Sequence, residues 1–350
     1  MIRVLVADDS PTARALIVAL LSAESDLQVV GEARNGREAV EMTERLAPDV
    51  VTMDIQMPVM DGFQATQEMM MRTPTPIIIV SSSARSGDVE LSLEATRAGA
   101  LLVLPKPEGP SIASSGRDQQ NLVNMVRAMA SVKVVRRHTA GSTHEVSRVM
   151  AKVMRPHRAV APRLVAIGAS TGGPAALQTI FADIPRSFPL PILVVQHIAN
   201  GFTRGLVDWL GSGARLDVRV AMFGEIAQPG TVYIAPDDRH LGVRLANDQS
   251  LRLLLDAAPR MGSFRPSASY LFRSVAEALG AAALNVILTG MGDDGVDGLR
   301  LTHAAGGYVV AQDEATSVIY GMPREAVRAG VVNEVLSLSE IAAQIMELAK

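Results

Sequence analysis

A serine stands among glycines in "IGASTGGPAAL", residues 167–177, where an apolar run gives way to a helical pattern. Gly168, Ser170 and Gly172 satisfy G-x-S-x-G. In a nucleophile elbow this pattern makes a sharp strand-to-helix turn that exposes the serine Oγ. The helix that follows starts with unpaired amides able to hold an oxyanion, and the amide of Thr171 is the first such donor. A bare turn or a phosphate cradle would explain the glycines as well. The sequence is read as containing neither G-x-G-x-x-G nor G-x-x-x-x-G-K-[ST], which lowers the nucleotide reading.

A serine at neutral pH needs a base, and the base needs an acceptor that orients it. His197 follows "ILVVQ" at the end of a strand candidate, so it belongs at the same sheet edge as Ser170. His240 in "PDDRHLGV" ranks second, and His303 falls in a helical pattern. After the strand candidate "NVILTG", the run "MGDDGVDG" offers Asp293, Asp294 and Asp297, and spacing does not choose between the first two. The order Ser, His, Asp differs from the orders of α/β-hydrolases, chymotrypsin-like enzymes and subtilisins.

A second constellation lies upstream. Asp8 and Asp9 close the first strand candidate, Asp54 the third and Ser81 the fourth, and Lys106 follows the fifth. In an open parallel sheet the carboxyl ends of the strands form the ligand crevice. Carboxylates gathered there suit Mg²⁺, a hard cation that keeps several waters and pairs with phosphate. One aspartate could accept a phosphoryl group, which the hydroxyl and the ammonium would then contact.

Two α/β units must position these groups. In the first, "IRVLVADD", "LQVVGEA", "DVVTMDI", "PIIIVSS" and "ALLVLPKP" read as strands buried on both faces. Amphipathic patterns lie between them, including "DVELSLEATRAGA", and a last helix falls in "DQQNLVNMVRAMASV". The alternation predicts a doubly wound, flavodoxin-like parallel sheet. Residues 132–162 are basic, contain Gly, Ser and Pro, and read as a linker with one short helix near 144–154. The second unit has strand candidates "RLVAIGAS", "PILVVQH", "DVRVAM", "TVYIAP", "NVILTG" and "GYVVAQD", and an antiparallel hairpin in "VRLANDQSLRLLL". Helices fit "PAALQTIFADI", "FTRGLVDWLG", "ASYLFRSVAEALG" and "DGLRLTHAAG", giving a Rossmann-like α/β unit. The expected division is 1–131, 132–162 and 163–350.

Composition removes several functions. The 350 residues carry a formal net charge of −3 and only 3% aromatics, so neither a basic field nor a stacking surface calls for nucleic acid. With no cysteine there is no disulfide, thiolate nucleophile or Cys-type metal site, and a reducing compartment fits. "MIRVLVADDS" is unlike a signal peptide, and no apolar run approaches the roughly 20 residues that span a bilayer. A cytoplasmic protein without membrane insertion is expected.

"VADDS", "MDIQMPVMDG", "VSS" and "LPKP" resemble the receiver domain of two-component response regulators, over roughly residues 1–131. The resemblance implies phosphorylation of Asp54 by a histidine kinase. Mg²⁺ would be held by Asp8, Asp9, Asp54 and the Gln56 carbonyl, and Ser81 and Lys106 would contact the phosphoryl group. It also implies a cis Lys106–Pro107 bond. Val103 stands where receivers often have an aromatic, Gln56 lies near the hydrolytic water, and "PEGPSIASSGRDQQ" reads as a longer loop than usual. "IGASTGGP", "QHIANGFTRGL", "YIAPDDRHLGV", "RPSASYLFRSVA", "ILTGMGDDGVDGL" and "AQDEATSVIYGMPREAV" resemble the catalytic domain of chemotaxis protein-glutamate methylesterases. That resemblance implies Ser170 as nucleophile, His197 as base and then acid, and Asp294 as its partner, with the amides of Thr171 and Met291 at the oxyanion. It implies chemoreceptor glutamate γ-methyl esters as substrates, methanol as product, deamidation of receptor glutamines, and no cofactor for the ester step. A family member serving a non-motility array, or a non-catalytic binding module, is the alternative.

Overall fold

The computed structural model describes residues 1–82, 95, 98, 100, 102–107, 115–130, 160–198 and 201–350. The proposed linker helix and most of the 88–100 helix lie outside the described residues.

The N-terminal unit contains β1 (Ile2–Ala7), β2 (Leu27–Ala33), β3 (Val50–Met53), β4 (Ile77–Ser81) and β5 (Leu102–Pro105). They pair in parallel in the order β2-β1-β3-β4-β5. Helices α1 (Pro11–Ser22), α2 (Gly36–Leu46), α3 (Gly62–Arg72) and α4 (Ser115–Ala130) accompany them. Alternation explains the near-continuous apolar strands. Leu5, Val51 and Ile79 point into one core, while Val4, Val50 and Ile78 point into the other. Ser10, Asn35 and Asp61 cap α1, α2 and α3 by accepting from the backbone amide three residues on. Helix α4 starts at Ser115, so the expected long loop is shortened from its C-terminal side. The cis peptide bond among the described residues is Arg265–Pro266 and not Lys106–Pro107, and with the latter trans Lys106 still reaches both Asp8 and Asp54.

The C-terminal unit is built on β6 (Leu164–Ala169), β7 (Ile192–Gln196), β8 (Asp217–Val220), β9 (Thr231–Ile234), β12 (Ala283–Ile287), β13 (Tyr308–Gln312) and β14 (Glu334–Leu336). Their order is β14-β13-β12-β6-β7-β9-β8, with every neighbouring pair parallel. After β6 the chain winds to one side, then returns to build the other side from β12. The switch point therefore lies between the carboxyl ends of β6 and β12, where a ligand crevice forms. The expected hairpin is present as β10 (His240–Leu245) and β11 (Leu251–Asp256). Helices α5 (Gly173–Asp183), α6 (Thr203–Gly213), α7 (Ala268–Leu279), α8 (Val296–Ala304), α9 (Met322–Arg328) and α10 (Leu338–Leu348) complete the unit. Sequence patterns did not mark β14, α9 or α10. Among the described residues no helix is long and apolar enough to cross a membrane.

Candidate active site

The elbow forms as its glycines require. Ser170 follows β6, Gly172 takes a left-handed φ of +80°, and α5 starts at Gly173. A Cβ on Gly173 would overlap Gln196 Oε1. Gln196 is buried and turns its amide inward, donating through Nε2 to Ser170 O at 2.8 Å and to His197 O at 2.9 Å. One side chain thus fastens the backbone of Ser170 to that of His197. On the other side Ser170 N donates to Thr289 O at 3.0 Å. The Thr289 amide in turn donates to Gln312 Oε1 at 2.9 Å.

His197 follows β7, and its Nε2 lies 2.8 Å from Asp294 Oδ2. The carboxylate accepts three further bonds. Ser267 Oγ and Ser269 N donate to Oδ1 at 2.7 and 3.0 Å, and Ala268 N donates to Oδ2 at 2.7 Å. Asp294 thus sits on the N-terminus of α7, where free amides favour an anion. Burial pushes its pKa up, but the His197 bond and charge, the Ser267 hydroxyl and the Ser269 amide outweigh that, and the net shift is downward. With Nε2 engaged, His197 must carry its proton there, which leaves Nδ1 as the basic atom. Nδ1 is buried and has no hydrogen-bond partner among the described residues. This is the reverse of the ring assignment in chymotrypsin-like triads, where Nδ1 faces the aspartate.

The choice left open by spacing is resolved by burial. Asp294 is buried, whereas Asp293 and Asp297 are exposed. His240 is buried on the hairpin, stacked on Tyr270 and bonded through Nε2 to Pro259 O at 3.1 Å, and His303 is exposed on α8. The expectation that the chain lacks G-x-G-x-x-G is wrong, since Gly290, Gly292 and Gly295 spell it after β12. Their turn instead delivers Asp294 to His197, and its aspartates would repel a pyrophosphate.

The same turn brings Gly290, the residue before Met291, against Ser170. A Cβ on Gly290 would lie 2.6 Å from Ser170 Cβ. Neither the Thr171 nor the Met291 amide donates a hydrogen bond among the described residues, so both remain available to an oxyanion. Gly290→Ala is expected to displace Ser170 and lower kcat by about 100-fold, since misplacement by about 1 Å carries that cost. Steady-state kinetics on a folded variant checks this. Beside Asp294 a cleft of about 640 Å³ opens between Phe264, Arg300 and Arg328.

The upstream groups also converge. Asp8 and Asp54 are buried, Asp9 is exposed, and one oxygen of each lies within 4.8 Å of the others. Lys106 Nζ lies 2.9 Å from Asp8 Oδ2 and 2.7 Å from Asp54 Oδ2. Burial pushes Asp54 upward, and the neighbouring Asp8 adds to that against the Lys106 bond, so its pKa is raised. For Lys106, burial is outweighed by the two carboxylates, and the ammonium stays charged. Such a set of hard oxygen donors fits Mg²⁺. Ser81 is buried at the end of β4, and its carbonyl accepts from Lys106 N at 3.1 Å. Gln56 is exposed two residues beyond Asp54.

A family model described as CheB methylesterase matches residues 165–345, and one for the response regulator receiver domain matches residues 4–112. The chain belongs to the CheB methylesterase family. A protein-glutamate methylesterase/protein-glutamine glutaminase of Myxococcus xanthus is 50% identical over 98% of this chain and 96% of its own length. One from Nitrosospira multiformis is 43% identical over 99% of this chain and 97% of its own. The CheB methylesterase catalytic domain of Thermotoga maritima aligns with a TM-score of 0.52 and 40% identity, covering 54% of this chain and all of that domain.

Sequence reasoning missed several supports of this CheB-type site. Gln196, Thr289 and Gln312 are polar residues at ends of buried strands, a signal that was available. Ser267 precedes "ASYLF" as an N-cap would, yet its bond to Asp294 requires the fold. Nothing in the sequence pointed to Phe264, whose ring stacks on His197.

Proposed function

We propose that this chain hydrolyses glutamate γ-methyl esters on the cytoplasmic helices of chemoreceptors, and deamidates receptor glutamines by the same acyl chemistry. The observation that carries this reading is the His197–Asp294 pair with Nδ1 left unengaged and the His197 backbone joined through Gln196 to that of an elbow serine. Ser170 Oγ attacks the ester carbonyl as its proton passes to His197 Nδ1. The Thr171 and Met291 amides hold the oxyanion, and Asp294 stabilises the imidazolium. His197 then protonates the leaving methoxide, and methanol departs from a γ-glutamyl ester of Ser170. Water gives a proton to Nδ1 and attacks that ester, and Ser170 leaves with the proton returned. For a glutamine, ammonia leaves in place of methanol. The step as written uses side chains and backbone amides alone.

The division 1–131, 132–162 and 163–350 then separates a receiver, a linker and an esterase. Asp54 accepts the phosphoryl group of a histidine kinase, and Lys106 and Ser81 hold it. When bound by Asp8, Asp9, Asp54 and the Gln56 carbonyl, Mg²⁺ supplies charge neutralisation for that transfer. Phosphorylation then releases the esterase. In support, Ile319 packs against the N-terminal core cluster that includes Leu104 and Met129, while its carbonyl accepts from Gly290 N at 3.0 Å. This one residue links the receiver to the oxyanion turn. Receptor substrates and a kinase donor place the protein in the cytoplasm.

Methylated receptor membranes provide the test. The full chain is expected to release methanol, and a small phosphodonor with Mg²⁺ to raise the rate. Asp54→Asn should abolish the stimulation and leave the basal rate. No methanol release from any methylated receptor, with Ser170 unreactive toward a serine-directed phosphonate, would overturn the hydrolase reading. Stimulation that survives Asp54→Asn would overturn the regulatory one.

A further inference from the structure

Phe264 reacts with nothing in the mechanism above, yet it faces the base directly. Its ring lies 4.0 Å from the His197 ring, centroid to centroid, with the planes 6° apart. The loop that carries it closes in a tight turn, in which Met261 and Phe264 exchange two backbone hydrogen bonds of 3.1 Å around Gly262 at φ +57°.

The next residue anchors that turn. Arg265 grips Asp238 through Nε and Nη2, with N–O distances of 3.0, 2.8 and 2.8 Å. Its Nη1 donates to Ala257 O and Ala258 O at 3.0 and 3.1 Å, closing the base of the loop. Asp238 itself sits at φ +52°, in the left-handed region that aspartate enters more readily than most non-glycine residues. Forked charge-assisted pairing of this kind fixes direction as well as distance.

One consequence follows for His197. Turning the imidazole about its Cβ–Cγ bond would drive its edge into a ring 4.0 Å away, so the stack opposes the flip that would put Cε1 in place of Nε2 against Asp294 and Cδ2 in place of Nδ1. We propose that Phe264, held by the Arg265–Asp238 pair, is a positioning residue that keeps Nε2 of His197 on Asp294 and Nδ1 toward Ser170. This rests on the reading of His197 as the base.

The test compares Phe264→Leu, Phe264→Tyr and Asp238→Ala in the full chain. Leucine fills similar space without an aromatic face, whereas tyrosine keeps the face. Phe264→Leu is expected to lower kcat about 10-fold to 30-fold with KM within about twofold. Phe264→Tyr should restore kcat to within about threefold, and Asp238→Ala should lower it as Phe264→Leu does. In ¹⁵N-histidine spectra, His197 of the wild type should show a single tautomer protonated at Nε2, and the Phe264→Leu protein a mixture. A kcat for Phe264→Leu within twofold of wild type overturns the proposal. So does a Phe264→Tyr protein as impaired as Phe264→Leu, since space filling alone would then account for the residue. If Phe264→Leu does not fold, the tyrosine and Asp238→Ala proteins decide by the same readouts. A wild type that releases no methanol would instead count against the hydrolase reading, and the tautomer spectra would still decide the role of Phe264.

Discussion

Ser170→Ala is expected to lower methanol release from methylated receptor by about 10⁵-fold or more, with little change in stability. The size of the effect comes from the chemistry, since removal of Oγ leaves no acyl acceptor and His197 without a proton to take. Its selectivity comes from how the elbow is built. Among the described residues every hydrogen bond that shapes it uses backbone atoms of Ser170: N to Thr289 O, and O from Gly173 N and Gln196 Nε2. None uses Oγ, so alanine inherits the turn. The variant should therefore unfold within about 1 kcal/mol of wild type, as a partly exposed substitution does. What remains is catalysis by the oxyanion amides, about 10³-fold over water. Methanol release, phosphonate labelling and Trp209 fluorescence on unfolding measure the three quantities, and Trp209 is the sole tryptophan, buried in the esterase unit. Methanol release at the wild-type rate would remove Ser170 from the mechanism.

The parallel sheets were legible because burial on both faces writes itself as unbroken apolar runs. β3 and β4 are wholly buried, and so are β6, β7 and β12. That pattern also placed the chemistry, since Ser170, His197, Asp54 and Ser81 each end or directly follow such a run. Short or edge elements lacked it. β14 has only three residues, none of them buried. α10 carried a signal that went unread, because Ser337 and Glu340 form a capping box ahead of the buried Ile341 and Ile345. Contacts across the fold were illegible in principle. Asp294 lies 26 residues from the Ala268 amide that it accepts from, and no local rule joins them. The ring nitrogen proposed as base follows from another such contact, that of His197 Nε2 with Asp294, 97 residues away. The G-x-G-x-x-G at Gly290 shows the converse, where a local pattern fits one chemistry and its surroundings impose another.

Asp294→Asn tests that contact most severely, and a loss of about 10³-fold to 10⁴-fold in kcat is expected. The carboxylate receives four donors, two on each oxygen. An asparagine has one acceptor oxygen to offer them. If that oxygen faces His197 and Ala268, the amide NH₂ meets Ser269 N–H, donor against donor. If the NH₂ faces His197, it meets Ala268 N–H, and Nε2 must accept. The imidazole proton then moves to Nδ1, the atom that should take a proton from Ser170. Both arrangements remove the charge that stabilises the imidazolium, and both strand a buried donor at a cost of about 1–3 kcal/mol. The stability difference should depend on pH in one direction. The Asp294 pKa is lowered by folding, so its contribution is present above the unfolded value of about 3.9 and disappears as pH falls through the folded one. Wild type and Asp294→Asn should therefore differ by a constant amount from about pH 5 upward and converge below about pH 4. Denaturant titrations followed at Trp209 measure this directly. A gap that widened toward acid would mean that the site holds a neutral carboxyl, and Asp294 could not then support the imidazolium.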